Sequence, residues 1–567
     1  MSRPLSPIPR ALALAGLASL AAAGPGCRPA PAAPTGPKPS GRPAGPAWFV
    51  ERAAEAGVDF SAGHGGRSPL TIREIMGTGC ALFDYDGDSD LDLFIAGQTG
   101  AGGQEQNQLY RNDGHGQFTN ATPGSGLEER GLHMGVAVGD IDNDGRPDLF
   151  VAGYGVNRLY RNQGGGKFQD IAQSAGLASK SPTDWNSCAA FGDVDRDGLL
   201  DLYLGRYVVF TKDTLQFCDY GDGKKGSCGP MFYDPQLGSL YRNLGGGRFK
   251  DVTREYGLDD GHGKALGAVF ADVNDDGWLD LYVGNDEMPG DLFISQRGRR
   301  FKNDALRAGV SLAGDGEMQG AMGVDFGDYN RDGLLDLIVT TYQFEPTSLY
   351  AGHPSGVYQH MGVATGLDAP TRPMVGFGTK FVDLNNDGWL DVPIANGHIH
   401  DNQEHIDKFS TYRQPMQLFM NREGVRFEER SAEAGEGFTK PAVGRGLAVG
   451  DLDGDGRQDL VVTDVEGPAR VLMNRIPDVG NWLRVALRGT RSDRHAYGAR
   501  VTVAAGGRKW IGLANPGGSY FSSSDPAVHF GLGDARSVDS VEVRWPSGRR
   551  SVVKAPRIGA TLVVTEP

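Results

Sequence analysis

Along most of the chain, short runs of small and apolar residues alternate with acidic, glycine-rich turns. Gly135-Val136-Ala137-Val138 and Gly446-Leu447-Ala448-Val449 precede such turns, and Leu149-Phe150-Val151 and Leu460-Val461-Val462 follow them. Runs this short and this β-compatible predict strands rather than helices. A third pattern comes next: Leu109-Tyr110-Arg111-Asn112, Leu159-Tyr160-Arg161-Asn162, Leu240-Tyr241-Arg242-Asn243 and Leu418-Phe419-Met420-Asn421. A Gly-rich turn then leads to a strand holding Phe118, Phe168, Phe249, Phe301 or Phe427.

The acidic turns keep one register. They begin at Asp84 (DYDGDSDLD), Asp140 (DIDNDGRPD), Asp193 (DVDRDGLLD), Asp272 (DVNDDGWLD), Asp328 (DYNRDGLLD), Asp383 (DLNNDGWLD) and Asp451 (DLDGDGRQD), at intervals of 56, 53, 79, 56, 55 and 68 residues. Four short strands per repeat, seven times over, predict a seven-bladed β-propeller with the small residues on crowded innermost strands. The last repeat ends at Val471-Leu472-Met473-Asn474 without an F-strand, and Trp48 to Gly57 reads as the missing one. Closing the ring this way would remove exposed sheet edges. Residues 481–567 alternate apolar and polar positions and predict a small β-sandwich after the propeller. The expected fold is thus all-β.

Each turn can wrap one hard cation with oxygen alone. Carboxylates or amides stand at the first, third and fifth positions, a backbone carbonyl at the seventh and a carboxylate at the ninth. The expected ligand sets are Asp84, Asp86, Asp88, Asp90 and Asp92; Asp140, Asp142, Asp144, Arg146 and Asp148; and Asp193, Asp195, Asp197, Leu199 and Asp201. The next two are Asp272, Asn274, Asp276, Trp278 and Asp280, and Asp328, Asn330, Asp332, Leu334 and Asp336. The last two are Asp383, Asn385, Asp387, Trp389 and Asp391, and Asp451, Asp453, Asp455, Arg457 and Asp459. Calcium accepts such flexible oxygen geometry, so up to seven Ca²⁺ ions are expected, held more weakly where Asn replaces the third Asp. An EF-hand is excluded: its twelfth position needs a bidentate Glu, but here it holds Ile95, Val151, Leu204, Val283, Val339, Ile394 and Val462.

Composition narrows the class. With 86 glycines in 567 residues and no Gly-X-Y period, the chain reads as turn-rich β structure. A net charge of −15 argues against nucleic-acid partners. Arg3 and Arg10 precede an apolar run, Ala11 to Ala23, that is too short to span a bilayer and reads as an export signal. Cleavage after Ala23 and lipid attachment at Cys27 stand as alternatives. A Pro/Ala/Gly-rich linker follows over 28–47, so the only membrane contact expected is a lipid anchor. The product would be an envelope lipoprotein or freely secreted. The tail carries a net +7, leaving −22 for the rest, so it could dock on the acidic turns, bind an anionic glycan or merely be solvated.

Cys218 and Cys228 bracket the insertion of the longest interval and are expected to pair in an oxidising compartment. Cys80 and Cys188 read as small buried residues. Gly221 to Gly226 matches G-x-G-x-x-G but follows no βα unit, so it is a decoy. The best enzymatic candidate is His398 and His400 with His405, near Asp401 and Glu404, which could bind zinc or move protons.

The acidic turns resemble the FG-GAP/VCBS repeats of integrin α subunits and bacterial surface proteins. Asn481-Trp482-Leu483-Arg484-Val485, Gly498-Ala499-Arg500-Val501, His529-Phe530-Gly531-Leu532-Gly533 and Val543-Arg544-Trp545-Pro546-Ser547-Gly548 resemble the ASPIC/UnbV domain. Together they resemble the cartilage acidic protein family, with its bacterial members. The resemblance implies a secreted calcium-binding protein and no general enzymatic activity. The expected organisation is a signal over 1–27, a linker over 28–47, repeats over 48–480 and an ASPIC/UnbV domain over 481–567. The expected role is a non-catalytic scaffold that binds a surface protein or glycan. The alternative is an enzyme in the propeller's central cleft using the histidine cluster.

Overall fold

The computed structural model describes residues 45–98 and 106–567. The expected export signal, Cys27 and most of the expected linker lie outside the described residues. In the second repeat, His133–Gly139, Asp148–Gly153, Val156–Gly164 and Lys167–Asp170 pair in that order as one antiparallel sheet, with the acidic turn joining the first two. The first strand is buried along its whole length, while the last buries only Phe168. The other repeats follow the same order, and the fourth adds Gln319–Gly320 beside Asp280–Met288. The outermost strand of the seventh comes from the other end of the chain: Phe49–Glu51 pairs with Arg470–Asn474, Phe49 facing Asn474.

The expected closed seven-bladed propeller followed by a β-sandwich is corrected by the strand pairing. Among the described residues the strands form ten separate sheets, mostly four-stranded, and none closes on itself or curls into a barrel. The physical reason is that each repeat's ladder ends at its own turns. Neighbouring repeats meet through side chains and turn-to-turn hydrogen bonds, not through a shared ladder. Glycine permits the approach: a Cβ at Gly135 would stand 2.3 Å from the Ser187 carbonyl oxygen of the next repeat.

The tail contributes two sheets. Asn481–Arg488 lies between Val528–Gly533 and Thr561–Thr565, the latter in parallel register. Arg500–Ala505 pairs with Arg508–Leu513 and Ser540–Arg544, and the last of these pairs with Arg550–Lys554. Val485, Val501, Trp510, Phe530 and Trp545 share one apolar cluster between them.

Between these sheets the tail sends residues 515–525 back among the first strands of six repeats. Asn515 donates to the Phe270 carbonyl (2.8 Å), and the amides of Leu82 and Val136 donate to Ser523 and Phe521 (3.0 and 2.8 Å). Ser519 bridges Val324 and accepts from the Thr379 amide, and the Asp525 amide reaches Val449. This segment occupies one end of the space between the first strands, and a cavity beside His400 stays open elsewhere among them.

Candidate metal-binding turns

The second repeat shows how the sequence builds its turn. The Asp140 carboxylate accepts from the amides of Asp144 (3.0 Å) and Gly145 (2.7 Å), curling the chain around it. Gly145 stands at φ 89, in the left-handed region that glycine adopts without strain. In the first repeat Ser89 holds the corresponding place at φ 80. The fifth-position carboxylate takes the seventh-position amide, as Asp144 takes that of Arg146 (3.0 Å). Leu199, Trp278, Leu334, Trp389, Arg457 and Asp90 are held likewise.

The ninth-position Asp ties the turn to the third strand. In the second repeat Asp148 accepts the Ile141 amide on one oxygen (3.0 Å) and the Asn162 amide on the other (2.7 Å). Asp92, Asp201, Asp280, Asp336, Asp391 and Asp459 repeat the second contact with Asn112, Asn243, Ser295, Gly352, Asn421 and Asn474. Each oxygen keeps a lone pair for a cation.

Four turns gather three carboxylates whose ligand oxygens lie within 4.8 Å: Asp84, Asp86 and Asp92; Asp140, Asp142 and Asp148; Asp193, Asp195 and Asp197; Asp451, Asp453 and Asp459. Burial is the main force on their protons. It pushes Asp92 and Asp148 up to about 8, Asp193 to about 7 and Asp140 and Asp451 to about 6. An adjacent divalent charge opposes that push. The fit is also visible in oxygens left without donors: Oδ1 of Asp142, of Asp453 and of Asp328 is buried and accepts nothing. In the other three turns the third position is an amide. Asn274, Asn330 and Asn385 accept the amides of Asp276, Asp332 and Asp387 (3.0, 2.9 and 3.2 Å), which brings an oxygen but no third charge to these sets. Burial raises the first-position Asp272, Asp328 and Asp383 there as well.

Two features escaped the sequence reading. First, every third-position Asp faces an arginine. Arg111 bridges Asp86 (2.8 Å) and Asp88 (3.1 Å), Arg161 holds Asp142, Arg242 holds Asp195 and Asp197, and Arg475 holds Asp453 (2.6 Å) and Asp455 (3.2 Å). Where the third residue is Asn, the position matching Arg111 is Ile294, Ala351 or Met420. In the first three repeats the signal was present as a pairing of Asp with Arg across two motifs; in the seventh Met473 holds the matching position and the arginine comes two residues later, at Arg475. Second, the Asn of the third strand reaches the preceding repeat. Asn162 Nδ2 donates to Tyr85 O (2.8 Å), Asn243 to Ile141 O (2.8 Å), Asn421 to Tyr329 O (2.9 Å), Asn474 to Leu384 O (2.8 Å) and Asn112 to Leu452 O (2.8 Å).

The basic tail lies on these turns. Arg544 meets Asp272 at 2.8 Å, Arg500 meets Asp275 at 3.2 Å, and His529 Nε2 stands 2.7 Å from Asn386 Oδ1. Of the three dispositions open to the tail, docking on the acidic turns is the one observed.

The remaining candidates sort differently. Cys218 and Cys228 are bonded across the hairpin Phe217–Asp219/Lys225–Ser227, which also carries the decoy glycines. Cys80 and Cys188 are free and buried, and burial raises both thiols to about 12. His398 uses both ring nitrogens, Nε2 facing Gln343 Oε1 at 3.0 Å and Nδ1 accepting the His400 amide at 3.0 Å. His400 is buried beside it, and His405 is exposed on the short helix Gln403–Ile406. The trio does not converge on one metal position.

Residues 84–151, 140–204, 231–283 and 272–339 match the FG-GAP-like repeat family, and residues 489–567 match the ASPIC and UnbV family. Cartilage acidic protein 1 of Mus musculus is 27% identical over 496 residues, covering 83% of this chain and 70% of its own. That of Homo sapiens is 26% identical over 498 residues, covering 83% and 69%. Among solved structures, the BP39L lectin from Burkholderia pseudomallei aligns at TM-score 0.43 and 9% identity, over 70% of this chain and 96% of the lectin. An Agrocybe aegerita lectin that recognises non-reducing terminal N-acetylglucosamine aligns at TM-score 0.38 and 16% identity, over 70% and 94%. The chain carries FG-GAP-like repeats and an ASPIC/UnbV domain and is related to the cartilage acidic proteins.

Proposed function

We propose that this is an exported, calcium-binding scaffold without catalytic activity, whose ligand is a surface protein or glycan. The repeats over 48–480 and the domain over 481–567 would form its body. The leader would export it, with Cys27 as its lipid anchor if it stays at the envelope. Calcium would sit in the acidic turns, up to seven ions in all. The first- and third-position carboxylates would supply charge and the ninth would join the ion to the third strand. The observation that carries the reading is the set of buried, donor-free carboxylate oxygens on Asp142, Asp453 and Asp328, an arrangement costly without a cation. Calcium would supply what these turns need, a hard positive charge that accepts many oxygen ligands in flexible geometry.

Chelation tests it. Removing divalent ions should lower the melting midpoint, calcium should restore it, and magnesium should restore less. Indifference to both steps refutes the metal reading. A glycan and surface-protein binding screen with and without calcium then tests the scaffold role, and elemental analysis showing a stoichiometric transition metal would favour an enzyme instead.

A further inference from the structure

Strand Asp280–Met288 leaves the fourth acidic turn at Asp280 and carries Asp286 and Glu287 toward its other end. There a cavity of ≈ 200 Å³ opens, walled by Tyr220, Phe232, Tyr342 and Phe377 and floored by Met76 and Leu266. A volume of this size takes a ligand of on the order of ten non-hydrogen atoms. The disulfide-bonded hairpin forms one wall and sets the Tyr220 ring 4.7 Å from that of His400. Phe232 stands half exposed at the rim.

The charged groups lining this cavity share one sign, since burial holds the His400 ring beside them neutral, pushed down to about 4. Asp286 takes a hydrogen bond from the Tyr207 hydroxyl (2.6 Å), which leaves its charge uncompensated. Glu287 accepts the Met231 amide on one oxygen, while Oε2 is buried without any partner. Glu345, held by the Gly320 amide at 2.7 Å, is a third carboxyl nearby; burial pushes it and Asp286 up to about 7, a push that a bound cation would oppose. The cation acting on them is Lys264, whose own charge burial disfavours. The backbone is strained at the same place: Glu287 and Lys264 stand at φ 51 and φ 60, neither being glycine.

Aromatic faces around uncompensated carboxylates select positive charge carried on an apolar body. An anion would be repelled, a sugar would find few donors on these walls, and a bare metal ion would leave the aromatic walls unused. We propose that this cavity binds a small organic ammonium ion, its cation beside Glu287 and Asp286 and its apolar body against Tyr220, Tyr342 and Phe232. The site is separate from the acidic turns and stands whether or not they hold calcium.

Titration calorimetry on the full chain, in saturating calcium, decides it with two probes of equal shape. 2-Phenylethylammonium should bind saturably and 2-phenylethanol at least about tenfold more weakly, a ratio equivalent to 1.4 kcal/mol. Glu287→Gln should weaken the ammonium probe by a similar factor and leave the alcohol unchanged. The exposed rim variant Phe232→Ala should weaken both. Absence of saturable ammonium binding overturns the proposal, as does equal binding of the two probes. So does unchanged ammonium affinity in a folded Glu287→Gln chain. Should that variant misfold, the two-probe comparison and Phe232→Ala still decide.

Discussion

The third-strand asparagine should be the costliest single polar side chain to remove from a repeat, and Asn162 shows why. It is fully buried. Its Nδ2 donates to Tyr85 O at 2.8 Å in the preceding repeat and to Pro147 O at 3.2 Å in its own, and its Oδ1 accepts the Gly164 amide at 2.9 Å. Asn162→Ala deletes all three bonds and leaves their partners in a place water does not reach. Each stranded partner costs about 1–3 kcal/mol, and the carbonyls, with two lone pairs, fall at the low end, so about 3 kcal/mol is expected. Asn162→Asp keeps the acceptor for Gly164 but turns an oxygen toward two carbonyls and buries a charge, so it should cost more than alanine despite its closer shape. Urea unfolding followed by tryptophan emission, in saturating calcium, reads the shift in midpoint at constant slope. A loss under about 0.5 kcal/mol for Asn162→Ala, or an Asp variant more stable than the Ala one, refutes the claim that this side chain links repeats.

Three further outcomes follow from the same geometry. Ser89→Gly should stabilise the chain by about 1 kcal/mol in thermal or urea melts, because it relieves the one non-glycine residue at the sixth position. Arg242→Met should strengthen calcium binding at the third turn about threefold, Asp195→Asn should weaken it, and the double variant should return near the parent; terbium luminescence from a Leu199→Trp reporter reads this turn. Burial works against the Glu566 charge, but the Ser547 hydroxyl and the amides of Thr490, Arg491 and Ser492 outweigh it and hold the carboxylate down to about 2. Its stabilisation is therefore full above the ordinary value near 4.5 and lost as pH falls toward 2, so Glu566→Gln should lower stability at pH 7 and flatten acid unfolding over that window.

Much of the local structure was legible because it rests on period and spacing. The run Gly135 to Val138, the turn at Asp140 and the strand at Leu149 follow from neighbours in sequence, as does the loop-closing bond of Cys218 with Cys228. Even the pairing of residues near 49 with those near 473 could be read, since one repeat lacked a strand and the chain start supplied it. What could not be read depends on groups distant in sequence. The Asn162 contact with Tyr85 spans 77 residues, and no local pattern marks it. The arginines facing Asp86, Asp142, Asp195 and Asp453 looked like ordinary strand residues until the turns were set beside them. Expecting one closed ring came from the repeat count, whereas hydrogen bonding between strands stays within each repeat.

The tail gives the strongest case for treating the repeats and the terminal domain as one folding unit. Tyr520 is fully buried, donates its hydroxyl to Met76 O at 3.0 Å and sets its ring 4.9 Å from Phe377. Backbone comes as close as side chain: a Cβ at Gly79 would stand 1.8 Å from Phe521 O, so the first strand of the first repeat has the shape it has because the tail is there. Truncating Tyr520 to alanine removes a large buried ring and strands the Met76 carbonyl, a loss of about 3–5 kcal/mol. If the two parts were independent, that loss would appear only in the unfolding of residues 481–567. If the segment is a shared core, tryptophans on both sides must respond together, Trp185 among the repeats and Trp545 in the tail, since each is buried in its own cluster. Calorimetry and emission melts of Tyr520→Ala therefore distinguish the cases, in two backgrounds that keep Trp185 or Trp545 as the single emitter, with the other six tryptophans replaced by Phe. A single transition displaced to lower temperature in both backgrounds is expected, and displacement of the Trp545 signal alone refutes the shared core.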